Sequence, residues 1–244
     1  MEMKIKKQNI YFNVLVWAMV IFIIFLFGVR IFKGSHPREK INREINPEKP
    51  MVAFTFDDGV KEYYTLKVLD ILYENQATAT FFINGKNIRS NEALVKKVVG
   101  EGHELGNHTF KHNDLTTLTH DEIKLEVEKT QSEVERVIPG YSLKYVRPPY
   151  GRYDDKVLKA ISQPLVLWDL DSGDWTSPDA NKIYSEVMKN VKDGDIIVFH
   201  DDNAETVEAI ARAVPELQKI GIQLVTLTQL DYYRQNKLTA NTKR

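Results

Sequence analysis

Past Pro50 the chain switches repeatedly between short apolar runs and longer amphipathic stretches, a pattern that few architectures accommodate. The runs 51–56, 77–83, 143–146, 165–170, 195–200 and 222–227 read as strands, with 103–108 as a weaker seventh. Helical periodicity covers 61–75, 91–101, 119–137, 154–162, 179–191, 205–219 and 228–236. Thr119 and Glu122 form a capping-box signature at the start of the longest of these. Parallel neighbours need a crossover between them, so this alternation implies a parallel α/β sheet. Such a sheet either stays open and doubly wound or closes into a barrel with fewer or less regular strands than the TIM type. In both cases chemistry belongs at the carboxyl ends of the strands.

The first fifty residues differ in kind. Residues 10–29, IYFNVLVWAMVIFIIFLFGV, contain no charge, and Asn13 is their one strongly polar side chain. At about 1.5 Å per residue a helix of this length crosses a hydrocarbon layer roughly 30 Å thick. Lys4, Lys6 and Lys7 precede the run, and Arg30 and Lys33 follow it. A cleaved signal would want a shorter apolar region and a small-x-small site, and Phe27-Gly28-Val29-Arg30 offers none. A core helix of this length would be unusual at an N-terminus. The expected organisation is therefore a basic cytoplasmic segment at 1–9, an N-terminal transmembrane helix at 10–33 and a charged tether at 34–49. A catalytic domain at 50–236 and a polar tail at 237–244 complete it. Basic residues flank both ends of the span, so they barely set its orientation.

Charge divides the same way. Residues 1–50 carry nine Lys and Arg against four Asp and Glu, and the remainder is acidic. The near-neutral total, 33 against 34, argues against a dedicated nucleic-acid binder. The absence of cysteine excludes a disulfide scaffold, thiolate catalysis and Cys-ligated zinc.

Five of the seven expected strands terminate in residues of catalytic type. Strand 51–56 runs into Asp57-Asp58-Gly59, and 103–108 into His108-Thr-Phe-Lys-His112. Strand 143–146 runs into Arg147-Pro-Pro-Tyr150-Gly, 165–170 into Asp171-Ser-Gly-Asp174-Trp175, and 195–200 into His200-Asp201-Asp202. Each has a plain structural explanation: a turn, two surface histidines, a rigid loop, a core anchor, a satisfied buried histidine. Their coincidence at one end of the strands favours a site. The H-x3-H spacing would place both imidazoles on one helical face, which suits a metal ion. Two His and one Asp leave open coordination positions for a divalent ion such as zinc. A second carboxylate could then deprotonate water, and a separate His could protonate a leaving amine. Arg147 could keep one carboxylate ionised, and Asp174 could keep His200 protonated. This is the chemistry of metal-assisted hydrolysis of an acyl bond.

TFDDG at 55–59, HTFKH at 108–112, RPPYG at 147–151, DSGDW at 171–175 and VFHD at 198–201 resemble the five ordered motifs of the polysaccharide deacetylases. These are carbohydrate esterase family 4, or NodB-homology domains. The resemblance runs from about Pro50 to Leu230. It implies a distorted (β/α) barrel of about seven parallel strands and removal of N-acetyl groups from amino-sugar polymers, or of O-acetyl groups from xylan. It also implies roles: Asp57 as general base, Asp58, His108 and His112 as metal ligands, and Arg147 as the group that positions Asp57. The Tyr150 N–H would stabilise an oxyanion, Asp174 would pair with the general acid His200, and Trp175 would wall the acetyl methyl. The implied cofactor is one divalent ion: zinc, or alternatively cobalt, nickel or manganese. Val60 and Val198 depart from the usual proline and leucine and touch pocket shape rather than chemistry.

The expected substrate is peptidoglycan N-acetylglucosamine, with chitooligosaccharide, MurNAc or acetylated xylan as alternatives and a silent glycan-binding domain as a further one. Substrate choice is expected in the loops 86–92, 113–118 and 176–180. Such polymers lie outside the cell, which points to a single-pass membrane protein with an extracellular catalytic domain. The expected partners are thus the polymer and, through 10–29, the lipid bilayer, with no nucleic acid and no obligate protein partner.

Overall fold

The computed structural model describes Met19 and residues 38–241. The transmembrane helix expected at 10–33 thus lies outside the described residues apart from Met19. Among the described residues no helix is long and apolar enough to cross a membrane.

Among the described residues, those from Lys40 onward form one compact unit. Six parallel strands carry it: β1 (Met51–Asp57), β2 (Thr80–Ile83), β3 (Glu104–Asn107), β4 (Leu170–Asp171), β5 (Ile196–His200) and β6 (Gln223–Leu224). Their order is β3-β2-β1-β5-β4, and β6 pairs with the first residues of β1. Two single-residue bridges close the ring, Asn107 to Val146 and Val146 to Leu165. The seven expected strands therefore all occur in a distorted parallel barrel, but 143–146 contributes one bridge residue and 165–170 only its two ends. Pro148 and Pro149 have no N–H to continue a ladder, so pairing stops there.

Among the described residues eight helices accompany this ring: α1 (Glu62–Glu74), α2 (Gly85–Ile88), α3 (Glu92–Gly100), α4 (His120–Val137), α5 (Asp155–Ala160), α6 (Ala180–Asn190), α7 (Ala204–Lys219) and α8 (Leu227–Asn241). Helix α2 has no counterpart in the sequence reading, and α8 runs through most of the segment expected as a polar tail. The capping box of α4 is formed, with Thr119 and Glu122 each satisfying the other's backbone N–H.

Successive residues of β1 alternate between two cores, and this places the site. Along β1, Val52, Phe54 and Phe56 face the helices, while Met51 and Ala53 face the barrel interior. Phe54 and Phe56 pack on Phe199 with ring centroids 4.8 and 5.7 Å apart, and Phe56 on Phe81 at 5.0 Å. Removing one such buried ring costs about 3–5 kcal/mol. With Phe54 and Phe56 fixed outward, a period of two turns Thr55 and Asp57 inward. The same parity carries His200 inward on β5, where Ile197 and Phe199 face out. The register pairs Asp57 directly with His200.

The segment expected as a solvated tether is docked from Lys40 onward. Ile41 is buried and its N–H donates to the Glu101 carbonyl at 2.9 Å. The Gln223 side chain accepts the Asn46 N–H and donates to its carbonyl. Isolated isoleucines in a charged stretch give no periodic signal, although each can fill a dent in the barrel floor.

Candidate active site

At the carboxyl end of the strands an open cleft of about 950 Å³ is lined by Asp57, Asp58, His108, His112, Tyr150, Asp174, Trp175 and His200. Arg147 lies behind it, fully buried. All nine residues singled out in the sequence are thus brought to one place.

Asp58, His108 and His112 present ligand atoms within 4.8 Å of one another. Asp58 Oδ1 stands 3.2 Å from His112 Nε2 and 3.7 Å from His108 Nε2. The His108 Nδ1–H donates to the Arg147 carbonyl at 2.8 Å, which leaves Nε2 as the lone-pair nitrogen aimed into the cleft. Burial pushes the Asp58 carboxyl up. The neighbouring His108 and His112, with a hydrogen bond from the Asn84 amide, bring it below its ordinary value. Burial and His108 lower His112, so its imidazole is neutral at neutral pH, as a ligand must be. One carboxylate oxygen and two imidazole nitrogens with open positions fit a divalent cation.

The histidine pair is not helical, contrary to the expectation from its spacing. Residues 108–112 form an irregular loop in which Thr109 and His112 have φ of 66° and 65°. Buried polar side chains hold this shape. Asn107 Oδ1 accepts the Thr109 N–H, Thr109 Oγ1 accepts the His112 N–H, and Glu126 accepts the N–H groups of Phe110 and Lys111. The rings of His108 and His112 end 4.9 Å apart.

Asp57 has a different environment. Its Oδ1 accepts Arg147 Nη1–H at 2.7 Å, and its Oδ2 lies 3.9 Å from His108 Nε2. The Arg147 guanidinium also donates to Thr55 Oγ1 and to the carbonyls of Val166 and Leu167, and lies 4.0 Å over the Phe82 ring. Burial lowers Arg147, while Asp57 acts in the opposite sense. Phe82 reaches its place because residue 106 is glycine: a Cβ there would stand 2.4 Å from the ring.

Across the cleft, His200 Nδ1–H donates to Asp174 Oδ1 at 2.8 Å. Asp174 Oδ2 accepts the His200 N–H and the Thr206 hydroxyl. Burial works against a charge on His200, but Asp174, helped by Asp57 and Asp58, raises its pKa to about 9.

A sequence profile described as "Polysaccharide deacetylase" matches residues 44–164. A peptidoglycan-N-acetylglucosamine deacetylase of Bacillus cereus is 35% identical over 210 residues, covering 83% of this chain and 98% of the relative. The chain belongs to the polysaccharide deacetylase family. A chitooligosaccharide deacetylase of Sinorhizobium fredii is 32% identical over 196 residues, covering 74% of this chain and 91% of that protein. The solved structure of the peptidoglycan deacetylase PdaC of Bacillus subtilis matches with a TM-score of 0.79 and 32% identity, over 82% of this chain and 98% of that one.

Within this deacetylase fold, Tyr150 has φ of 60° and a side chain at the rim, edge-on to His112 at 4.8 Å. Its N–H donates to no group among the described residues, and the two preceding prolines have none to give. Trp175 is 67% exposed, with its indole N–H 3.4 Å from Asp171 Oδ2. The sequence reading missed Asn84 and Glu126. Asn84 had a signal, because it directly follows β2 on the inward parity of Phe82. Glu126 sits on the buried face of α4 with Ile123 and Val127, where a carboxylate needs a partner. Of the loops expected to set substrate choice, Thr176, Ser177 and Pro178 line the cleft; 86–92 and 113–118 do not.

Proposed function

We propose that this polysaccharide deacetylase removes N-acetyl groups from peptidoglycan N-acetylglucosamine by metal-assisted hydrolysis. One observation carries the mechanism: two adjacent aspartates face different partners. Asp58 points at two imidazoles, and Asp57 is bound to a buried guanidinium.

Asp58, His108 and His112 would hold the cation. Zinc suits one oxygen and two nitrogen donors, and cobalt, nickel or manganese could be accepted. When bound, such an ion lowers the pKa of water and polarises a carbonyl. Asp57, held and aimed by the Arg147 guanidinium, takes a proton from the water that attacks the acetamide carbon. The Tyr150 N–H is free to donate to the oxyanion that forms as the carbonyl opens. His200, protonated through Asp174, gives its proton to the amine nitrogen as the C–N bond breaks. Acetate and a free amino sugar leave, Asp57 gives up its proton to solvent, and His200 takes one back. Trp175 and Tyr150 offer apolar surface beside the acetyl group.

The choice of peptidoglycan is supported by the likeness to the Bacillus cereus peptidoglycan deacetylase and to PdaC, and chitooligosaccharide is the second reading through the Sinorhizobium protein. The uncharged run at 10–29 supports a membrane anchor with the catalytic domain outside, where such polymers lie. The test is acetate release from purified peptidoglycan and from chitooligosaccharide in parallel, with zinc-loaded and chelator-treated protein. Metal-dependent release, faster on peptidoglycan, is expected. Release that survives chelation would refute the metal role, and faster release from chitooligosaccharide would reassign the substrate.

A further inference from the structure

Asp201 directly follows His200 and has no part in the chemistry above, yet it is completely buried beside the turn that carries both site aspartates. Its Oδ2 accepts the Thr65 hydroxyl, and Thr65 Oγ1 in turn accepts the Lys61 N–H at 2.8 Å. Its Oδ1 has no hydrogen-bond partner among the described residues. On its other side the carboxyl lies against the backbone of Gly59. A Cβ at Gly59 would stand 2.5 Å from Oδ1 and 2.6 Å from Oδ2. The φ of Gly59 is outside the left-handed region, so close approach of the carboxyl, rather than backbone conformation, is what demands glycine here.

A carboxylate with one oxygen unpaired is poorly tolerated in a buried site, whereas the neutral acid is not. Burial raises Asp201 to about 8, against the opposing effects of the Thr65 hydroxyl and Lys61 and with some help from Asp202. At neutral pH the group is then an uncharged object of fixed size. Outside it, Lys61 and Asp202 join the same two chain segments through an ion pair of 2.9 Å, half-exposed and correspondingly weak.

We infer that Asp201 is a positioning residue: its carboxyl is a strut between Thr65 and the Gly59 backbone that sets the Asp57-Asp58-Gly59 turn at its height above the strand end bearing His200. The register supports this, because Asp57 and His200 are direct neighbours on β1 and β5, and the strut stands one residue beyond His200 and two beyond Asp57. A shift of the turn would move Asp58 away from His112 and Asp57 away from the attacking water together.

The inference rests on the deacetylase reading only where turnover is measured, so a second readout uses no substrate: cobalt(II) titration of the full chain, followed by its visible absorption. Asp201→Asn is uncharged and nearly isosteric, and it should keep kcat and cobalt affinity within about threefold of wild type, a change too small for a lost outer contact. Asp201→Ala should lower both by about tenfold or more with KM little changed, as lost outer-shell support does. Gly59→Ala should reproduce that loss by displacing the carboxyl. The double variant Gly59→Ala/Asp201→Ala should recover beyond Gly59→Ala alone, because the new methyl takes the vacated space. Should Asp201→Ala fail to fold, the two Gly59 variants decide between them. Wild-type affinity and kcat in Asp201→Ala would overturn the strut. So would equal damage in Asp201→Asn and Asp201→Ala, or additive losses in the double variant. A wild-type protein that binds cobalt but releases no acetate would refute the deacetylase reading, and the cobalt series would still decide on Asp201.

Discussion

The flank of the cleft that carries Asp58, His108 and His112 is made of loops, whereas on the other flank His200 ends strand β5 and Asp174 lies in the turn after β4, backed by the first turn of α7. On the first flank Asp58, Thr109 and His112 all have left-handed backbones, with φ between 65° and 68°. Such conformations cost about 1–3 kcal/mol each and persist only where their surroundings fix them. Glu126, Asn107 and Asn84 provide that fixing through hydrogen bonds to the loops and to Asp58. On the second flank His200 ends a regular strand, and the hydrogen bonds to Asp174 suffice to aim it. The difference follows from the tasks. Ligands to one ion must converge on a point, which strands about 4.8 Å apart with parallel side chains do not achieve unaided. A proton donor needs one direction, and strand parity supplies it.

If that contrast is right, the two flanks respond differently to substitution. His108→Ala removes a ligand together with its hydrogen bond to the Arg147 carbonyl. It should lose the metal by mass spectrometry and turnover with it. His200→Ala should keep the metal and lose about 10²–10⁴ in kcat. Metal loss in His200→Ala would break the contrast at once. Glu126→Gln leaves the loop backbone with a poorer acceptor and should weaken metal affinity by about 10–100-fold while the protein still folds. Its measurement is a competition titration against a coloured chelator, and unchanged affinity would show that the loop holds itself.

The smallest change at slightly acidic pH belongs to Asp174→Asn. The His200 pKa is raised from 6.5 to about 9, so the protonated acid is present below that value and is lost as pH rises through it. The same sign holds for stability: the contribution is complete below 6.5 and disappears towards 9. A bound cation offsets the help from Asp57 and Asp58, so the basic limb of the loaded protein falls below 9. In Asp174→Asn the limb should move further down, towards the ordinary value for histidine, with metal content unchanged. A profile that overlays the wild type would separate His200 from Asp174.

Much of this site was legible because strand parity and the carboxyl-end rule act on neighbouring residues. Asp57, Asp58, Arg147, Asp174 and His200 each follow a recognisable apolar run, and Asn84 would have been found by extending the same rule to β2. What escaped depends on distant partners. The loop at 108–112 takes its shape from Glu126 on another element, so its spacing mimicked a helix. Segment 143–146 reads as a strand but makes only two bridges, both at Val146, before two prolines end its pairing. Residues 40–49 looked unfoldable on composition, yet Ile41 and the Gln223 side chain dock them to the barrel.

The division of labour between two adjacent carboxylates is the centre of this account, and it is tested most directly by metal content and acetate release measured side by side on Asp57→Asn and Asp58→Asn. Asp57→Asn should keep a full complement of metal and lose turnover by about 10²–10⁴, the usual worth of a general base. Asp58→Asn should lose the metal. Metal lost from Asp57→Asn, or turnover retained by it, would contradict the assignment.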